Sequence, residues 1–427
     1  MAEALQGTSS SRNVFQQVFG VSLSSNIIQN CTGTSEDLQL KLAAHIPDAL
    51  KLAGDGWKVV WGPVVWKPKS TREDTTYGNA WYVAKKDSIV FENGTLHTTY
   101  VVSIAATSGM YDYVHEDAAI KYVVDVDTWA GQGAKGLSQA PKPIRNDFLV
   151  PKNRALISHG FSRGVYQILN NTPPKESPGY SHTLPQFLQS LQFAPSEHPP
   201  KLVFAGHSLG GALAPSLAYT LLKADCLGPF SKDLENVHVY PTAGPTPGNT
   251  VFAQSFKEHF PPRISAPDSS YQRWNVNIIN RLDIVPCAYC VDPKYGPEVL
   301  SNIPGMYGNL WLIVVEITVA WLRYMAHGLY VPIDLSRFSN SHIPKPPKKP
   351  KDVWAYLDAA HLQHVDAYGW EILNEQIPDP ICKKPKKEDW SAHPVLGHIV
   401  RRQNEIRDRS GIAVEEIFEE PQCLVDE

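Results

Sequence analysis

The most constraining stretch of the chain is Gly206-His207-Ser208-Leu209-Gly210-Gly211, entered by the apolar run Leu202-Val203-Phe204-Ala205 and left by a helical pattern over residues 212–223. With 28 glycines in 427 residues, a bare G-x-S-x-G is expected about 0.13 times by chance, so the motif alone is weak. Its setting is specific: an extended segment, a sharp turn and a helix in succession lift a serine hydroxyl above the end of a sheet. The turn is strained, and side chains at its flanking glycines would collide with the neighbouring strand and helix. It also leaves the Leu209 N–H at a helix start, aimed at developing negative charge.

The rest of the chain supplies strands for such a sheet. Trp57-Lys-Val-Val-Trp61 and Asn79-Ala-Trp-Tyr-Val83 are short strand-like runs, and Tyr100-Val-Val-Ser-Ile-Ala105 reads as a strand buried on both faces. Lys201-Leu-Val-Phe-Ala205, Val237-His-Val-Tyr240 and Val276-Asn-Ile-Ile-Asn280 repeat that pattern, with helical spacing between them at Leu213, Leu217 and Leu221 and at Val251, Phe252 and Phe256. Alternating strands and helices predict an α/β fold with a mostly parallel central sheet and helices on both faces. Leu38, Leu42, Ile46 and Leu50 predict a helical lead-in over residues 1–56.

Composition narrows the function classes. The chain is 43% hydrophobic and 19% charged, which excludes disorder as its main state. A net charge of −4 with no long basic stripe speaks against nucleic acid as a partner. Two proline-broken basic runs, at 345–351 and 383–387, read as solvated loops. The longest apolar stretch, around Leu310 to Leu322, is interrupted by Glu316 and is too short to span a bilayer. No secretory leader is legible at the N-terminus, which favours the cytoplasm unless the N-terminus is a processed one. The six cysteines do not form a disulfide scaffold; Cys287 and Cys290, spaced C-x-x-C without a second pair, read as structural thiols. Sequons at Asn30, Asn93 and Asn170 discriminate little.

A serine hydroxyl is a poor nucleophile at neutral pH, so a histidine must take its proton and an acid must hold that histidine. In the strand–turn–helix setting these partners follow in the order serine, acid, histidine. Asp283 fits the acid, because it closes the run 276–282 and Ile284-Val285-Pro286 leaves the sheet; Asp268 and Asp292 lack a preceding strand. Six histidines follow, His327, His342, His361, His364, His393 and His398, and composition does not separate His361 from His364. His207 is disfavoured as the base, since adjacent side chains on a tight turn point in different directions.

At these residues the chain resembles the class 3 (fungal-type) triacylglycerol lipases of the α/β-hydrolase fold. Gly206-His-Ser-Leu-Gly-Gly211 is similar to that family's elbow, Asn280-Arg-Leu-Asp283-Ile-Val-Pro286 to its acid segment, and Gln363-His364-Val-Asp-Ala-Tyr368 to its base segment. Ile157-Ser-His159-Gly160-Phe161 and Thr242-Ala-Gly244-Pro-Thr-Pro-Gly248-Asn249 extend the likeness, which covers roughly residues 57–375. The resemblance implies Ser208 as nucleophile, His364 as base, Asp283 as orienting acid, and an oxyanion hole made by Leu209 and Thr107. It implies no metal or organic cofactor. The family's Arg-Gly-Ser/Thr at the oxyanion strand is replaced here by Ile104-Ala105-Ala106-Thr107-Ser108, and His159-Gly160-Phe161 is the alternative place for the hole.

The expected organisation is a lead-in over 1–56, a hydrolase domain over 57–400 and a tail over 401–427. An insertion at 304–332 is a candidate cap over Ser208, the alternative being a plain core helix. The expected activity is hydrolysis of carboxylic esters, most of all acylglycerols, through an acyl-enzyme on Ser208, with a lipid or other ester as partner. Phospholipids, feruloyl or sterol esters, acyl transfer with the same triad, and a hydrolase-like binding protein are the alternatives.

Overall fold

The computed structural model describes residues 12–68, 70–106, 119–147, 150–194, 197–308, 313–339, 342–343, 350 and 353–383. Thr107, His393, His398, most of both basic runs and the tail over 401–427 lie outside them.

Among the described residues, seven strands form the central sheet, and their spatial order is their chain order. They are β1 (Lys58–Trp66), β2 (Asn79–Val90), β3 (Leu96–Ile104), β4 (Lys201–His207), β5 (Val237–Thr242), β6 (Asn277–Asn280) and β7 (Leu335–Phe338). The first three form an antiparallel meander, and from β3 onward every pairing is parallel. The sheet is thus mostly parallel, as the alternation of strands and helices predicts. Parallel strands need crossovers, and helices α3 (His159–Asn170) and α4 (Leu209–Lys223) lie in the crossovers on either side of β4.

Alternation along β3 and β4 splits the core in two. Tyr100, Val102, Ile104, Leu202 and Phe204 face one cluster with α3 and α4. Val101, Val203 and Ala205 face the other, with helices α1 (Val14–Ser24) and α2 (Ser35–Ala49). Asn13 starts α1 through a capping box with Gln16, and Thr34 starts α2 through one with Asp37. Phe15, Val18 and Phe19 of α1 are at most 1% exposed, and each such burial is worth about 1.5–3 kcal/mol. The lead-in helices are therefore packed onto the sheet and do not hang from it.

A second, antiparallel sheet of short strands (Tyr122–Asp125, Ile144–Arg145, Leu156–Ser158, Gly248–Asn249 and Tyr330–Val331) lies in the connections. In the 304–332 insertion, helix α5 (Ile313–Ala326) buries one stripe, Val319, Leu322 and Ala326, on the α3/α4 side of the core. Tyr324 on its outer face is 64% exposed. Among the described residues no helix is long and apolar enough to cross a membrane.

Cys31, after α1, is joined by a disulfide to Cys382. No local pattern marks this pairing, since the two residues are separated by 351 positions. Cys226, Cys287 and Cys290 are free and buried, and burial pushes the Cys287 and Cys290 thiols up.

Candidate active site

Ser208 stands between β4 and α4 with φ 60° and ψ −123°, a left-handed conformation that costs a non-glycine residue on the order of 1–3 kcal/mol. The close quarters around it explain its glycines. A Cβ on Gly206 would stand 2.2 Å from the Gly210 carbonyl oxygen, and one on Gly210 would stand 2.3 Å from that of Ile104 on β3. The turn is pinned by Ser208 N–H donating to Thr242 O at 3.0 Å and Gly211 N–H donating to Ser208 O at 2.8 Å. Leu209 is the first residue of the 15-residue α4, so its N–H has no acceptor within the helix and points out of the positive helix end.

His364 lies in a π-helical turn, Leu362–Asp366, that continues α6 (Val353–His361). Its Nε2 is 2.8 Å from Ser208 Oγ, and its Nδ1 is 2.8 Å from Asp283 Oδ2. The carboxylate only accepts, so Nδ1 carries the proton and Nε2 is left to accept from the serine hydroxyl. The structure thus brings Ser208, His364 and Asp283 into one hydrogen-bonded line. Of the other candidates, His361 ends α6, His342 stacks on Trp370, His327 lies against Tyr324, and Asp292 pairs with Lys294.

The Asp283 side chain is 0% exposed, and a buried carboxylate needs donors. It has three: His364 Nδ1–H, the Tyr368 hydroxyl at 2.8 Å to Oδ2, and Val285 N–H at 2.9 Å to Oδ1. Burial and the Asp283 charge keep the Tyr368 hydroxyl protonated by raising it well above its ordinary value. That hydroxyl accepts in turn from Asn280 N–H at 3.0 Å. The Asn280 amide donates to the carbonyl and side-chain oxygens of Gln363, at 2.9 and 2.8 Å, tying the acid loop to the base segment. Both nitrogens of His207 are engaged, with Thr242 Oγ1 and with the His364 carbonyl, so it does not reach Ser208 Oγ as a base.

At the alternative place for the oxyanion hole, the Phe161 N–H already donates to Ser158 Oγ at 3.0 Å, which caps α3. His159 is held neutral there, burial followed by the nearby Arg163 charge lowering it to about 4. Among the described residues no group of histidine, cysteine and carboxylate side chains could hold a metal ion.

A sheet of this order, a strained serine at its nucleophile turn and an imidazole between that serine and a buried carboxylate define an ester hydrolase of the α/β-hydrolase fold. Residues 129–291 match the family described as lipase (class 3). With that match, the site is that of a lipid ester hydrolase with a serine triad. In fold it is similar to M37 lipase, with 22% identity, a TM-score of 0.60, and coverage of 92% of this chain and 99% of that one. Lipase from Rhizopus microsporus var. chinensis has 14% identity and a TM-score of 0.37, covering 66% of this chain and 69% of its own. The Rhizomucor miehei lipase propeptide complex has 17% identity and a TM-score of 0.35, covering 66% and 64%. No curated protein sequence matches the chain.

Proposed function

We propose that the chain hydrolyses acylglycerols through an acyl-enzyme on Ser208. The Ser208 hydroxyl adds to the ester carbonyl carbon as His364 Nε2 takes its proton. The carbonyl oxygen becomes an oxyanion and accepts from the N–H groups of Leu209 and Thr107; the part given to Thr107 rests on the family resemblance. The intermediate collapses when His364 returns the proton to the leaving alcohol. Water, deprotonated by the same nitrogen, then releases the fatty acid. Asp283 keeps the imidazole in one tautomer and stabilises the imidazolium, while Tyr368 and Val285 hold the carboxylate in line.

The observation that carries this reading is the 2.8 Å spacing on both sides of His364, to Ser208 Oγ and to Asp283 Oδ2. The choice of acylglycerols is supported by the class 3 lipase match over residues 129–291. The test has two arms. Ser208→Ala is expected to abolish p-nitrophenyl ester hydrolysis and fluorophosphonate labelling, and retained turnover overturns the nucleophile assignment. In a panel of tri-, di- and monoacylglycerols, a phospholipid and a sterol ester, acylglycerols are expected to turn over fastest, and a faster phospholipid overturns the substrate assignment.

A further inference from the structure

His207 is ionisable, 2% exposed, and the mechanism gives it no chemical task. Its Nε2 is 2.8 Å from the carbonyl oxygen of His364, and its Nδ1 is 3.0 Å from Thr242 Oγ1. A carbonyl only accepts, so Nε2 carries the hydrogen and Nδ1 accepts from the threonine hydroxyl. The rings of His207 and His364 lie 4.9 Å apart at 36°, and the Tyr368 ring meets His207 edge-on at 5.0 Å. His207 thus touches the base twice, by a hydrogen bond to its backbone and by contact with its ring.

Beside the direct Ser208–His364 hydrogen bond, this gives nucleophile and base a second short connection, made through the backbone. Ser208 and His364 are 156 residues apart in the chain. Yet Ser208 is bonded to His207 by one peptide unit, and His207 is bonded to His364 by one hydrogen bond. The base itself sits in a π-helical turn, a conformation rare enough that it needs support from outside its own backbone. We propose that His207 is a positioning residue of the esterase reaction: its Nε2–H fixes the backbone of His364 relative to the Ser208 turn and so sets the Ser208–His364 distance. The inference rests on the assignment of Ser208 and His364 above. Neutrality is part of the arrangement, because a charged His207 would repel the imidazolium that forms on His364. Burial, and after it the neighbouring His364, holds the His207 ring well below its ordinary pKa.

Two substitutions separate positioning from filling of space. In His207→Asn the amide reaches the Nδ1 position beside Thr242 and falls short of the His364 carbonyl. In His207→Gln the amide reaches the Nε2 position and restores the donor. Both variants, the wild type and Ser208→Ala are assayed on p-nitrophenyl butyrate, with melting curves and with rates normalised to sites titrated by prolonged fluorophosphonate labelling, so that an unfolded fraction drops out. His207→Asn is expected to lower kcat by about 10- to 100-fold with KM unchanged, the scale of loss for a small misplacement of a reacting group. His207→Gln is expected to recover kcat to within about 3-fold of wild type, as a bond of the same kind is remade. Equal kcat in the Asn and Gln variants, or losses that follow melting temperature in both, overturn the proposal. An active Ser208→Ala overturns the nucleophile assignment and the proposal with it; an inactive one beside equal Asn and Gln variants overturns the proposal alone.

Discussion

Replacing His238 by leucine tests how the core treats a buried imidazole. His238 lies on β5, 2% exposed, and neither ring nitrogen has a hydrogen-bond partner among the described residues. It is packed between aromatic rings, 4.9 Å from Trp274 and 5.8 Å from Phe91. Burial first, then the positive charges of Arg263 and Lys201 and the His97 ring, lower it well below its ordinary value of 6.5. The unfolded chain therefore takes up a proton that the folded chain refuses. The resulting stability is present above about pH 6.5 and is lost as pH falls. Between pH 7 and pH 5 the loss from this one residue is about 1.4 kcal/mol for each of about 1.5 units, or about 2 kcal/mol. Leucine has a similar volume, does not titrate and leaves no orphaned nitrogen, each of which costs about 1–3 kcal/mol. In urea melts followed by tryptophan fluorescence, His238→Leu is expected to be at least as stable as wild type at pH 7. At pH 5 its advantage should grow by about 2 kcal/mol. A difference between the two proteins that stays constant within about 0.5 kcal/mol from pH 7 to pH 5 would refute the reasoning.

Two further perturbations act on the site and on its support. Tyr368→Phe removes a donor to Asp283 and the acceptor of Asn280 N–H; kcat on a soluble ester is expected to fall about 10-fold, or about 1.4 kcal/mol, with KM unchanged, and an unchanged kcat would reduce Tyr368 to a packing residue. Replacing Cys31 and Cys382 together by serine opens a cross-link spanning 351 residues and is expected to cost about 2–5 kcal/mol in guanidinium melts; the double variant should be indifferent to reductant while wild type is not.

What could be read from the sequence was what is written locally. The Ser208 turn, the strand ending before Asp283 and the segment around His364 each carry their chemistry within a few consecutive residues. The parallel strands showed as continuous apolar runs because helices cover both faces of the sheet. Helix α1 gave no periodic signal, since Val14, Phe15, Val18, Phe19, Val21 and Leu23 are buried around most of its circumference. Strand β7, Leu335–Phe338, alternates partly and fully buried residues over only four positions at the sheet's edge. The apolar pattern of the 304–332 insertion marks a helix, read as a candidate cap over Ser208 or a plain core helix. α5 buries one stripe and exposes Tyr324, so apolar composition alone does not show which face is covered. The links that join distant segments, Cys31 to Cys382, Asn280 to Gln363 and His207 to the His364 carbonyl, have no local signature. Each is a contact between elements that only the folded chain brings together.

Those links also explain why the N-terminal helix belongs to the catalytic unit. The chain bearing His364 is held partly by π-helical turns, Leu362–Asp366 and Gly369–Leu373, which are poorly stable alone. From α1, Gln16 donates to the Ile372 carbonyl at 2.9 Å, and Phe19 lies 6.2 Å from the His207 ring. Arg12 pairs with Glu375 at 2.6 Å, but with side chains 21% and 46% exposed that ion pair contributes at most about 1 kcal/mol. The apolar contact is the larger effect: Phe15, Val18 and Phe19 share a buried cluster with Tyr368, Ile372 and Leu373, and each large side chain in it is worth about 1.5–3 kcal/mol. The disulfide adds about 2–5 kcal/mol to the same connection. Packing and cross-link therefore outweigh the ion pair several-fold, so the base segment can loosen only when its contact with α1 does. Damage to the far face of the sheet will reach Ser208 through His364 even where no substituted residue touches the substrate.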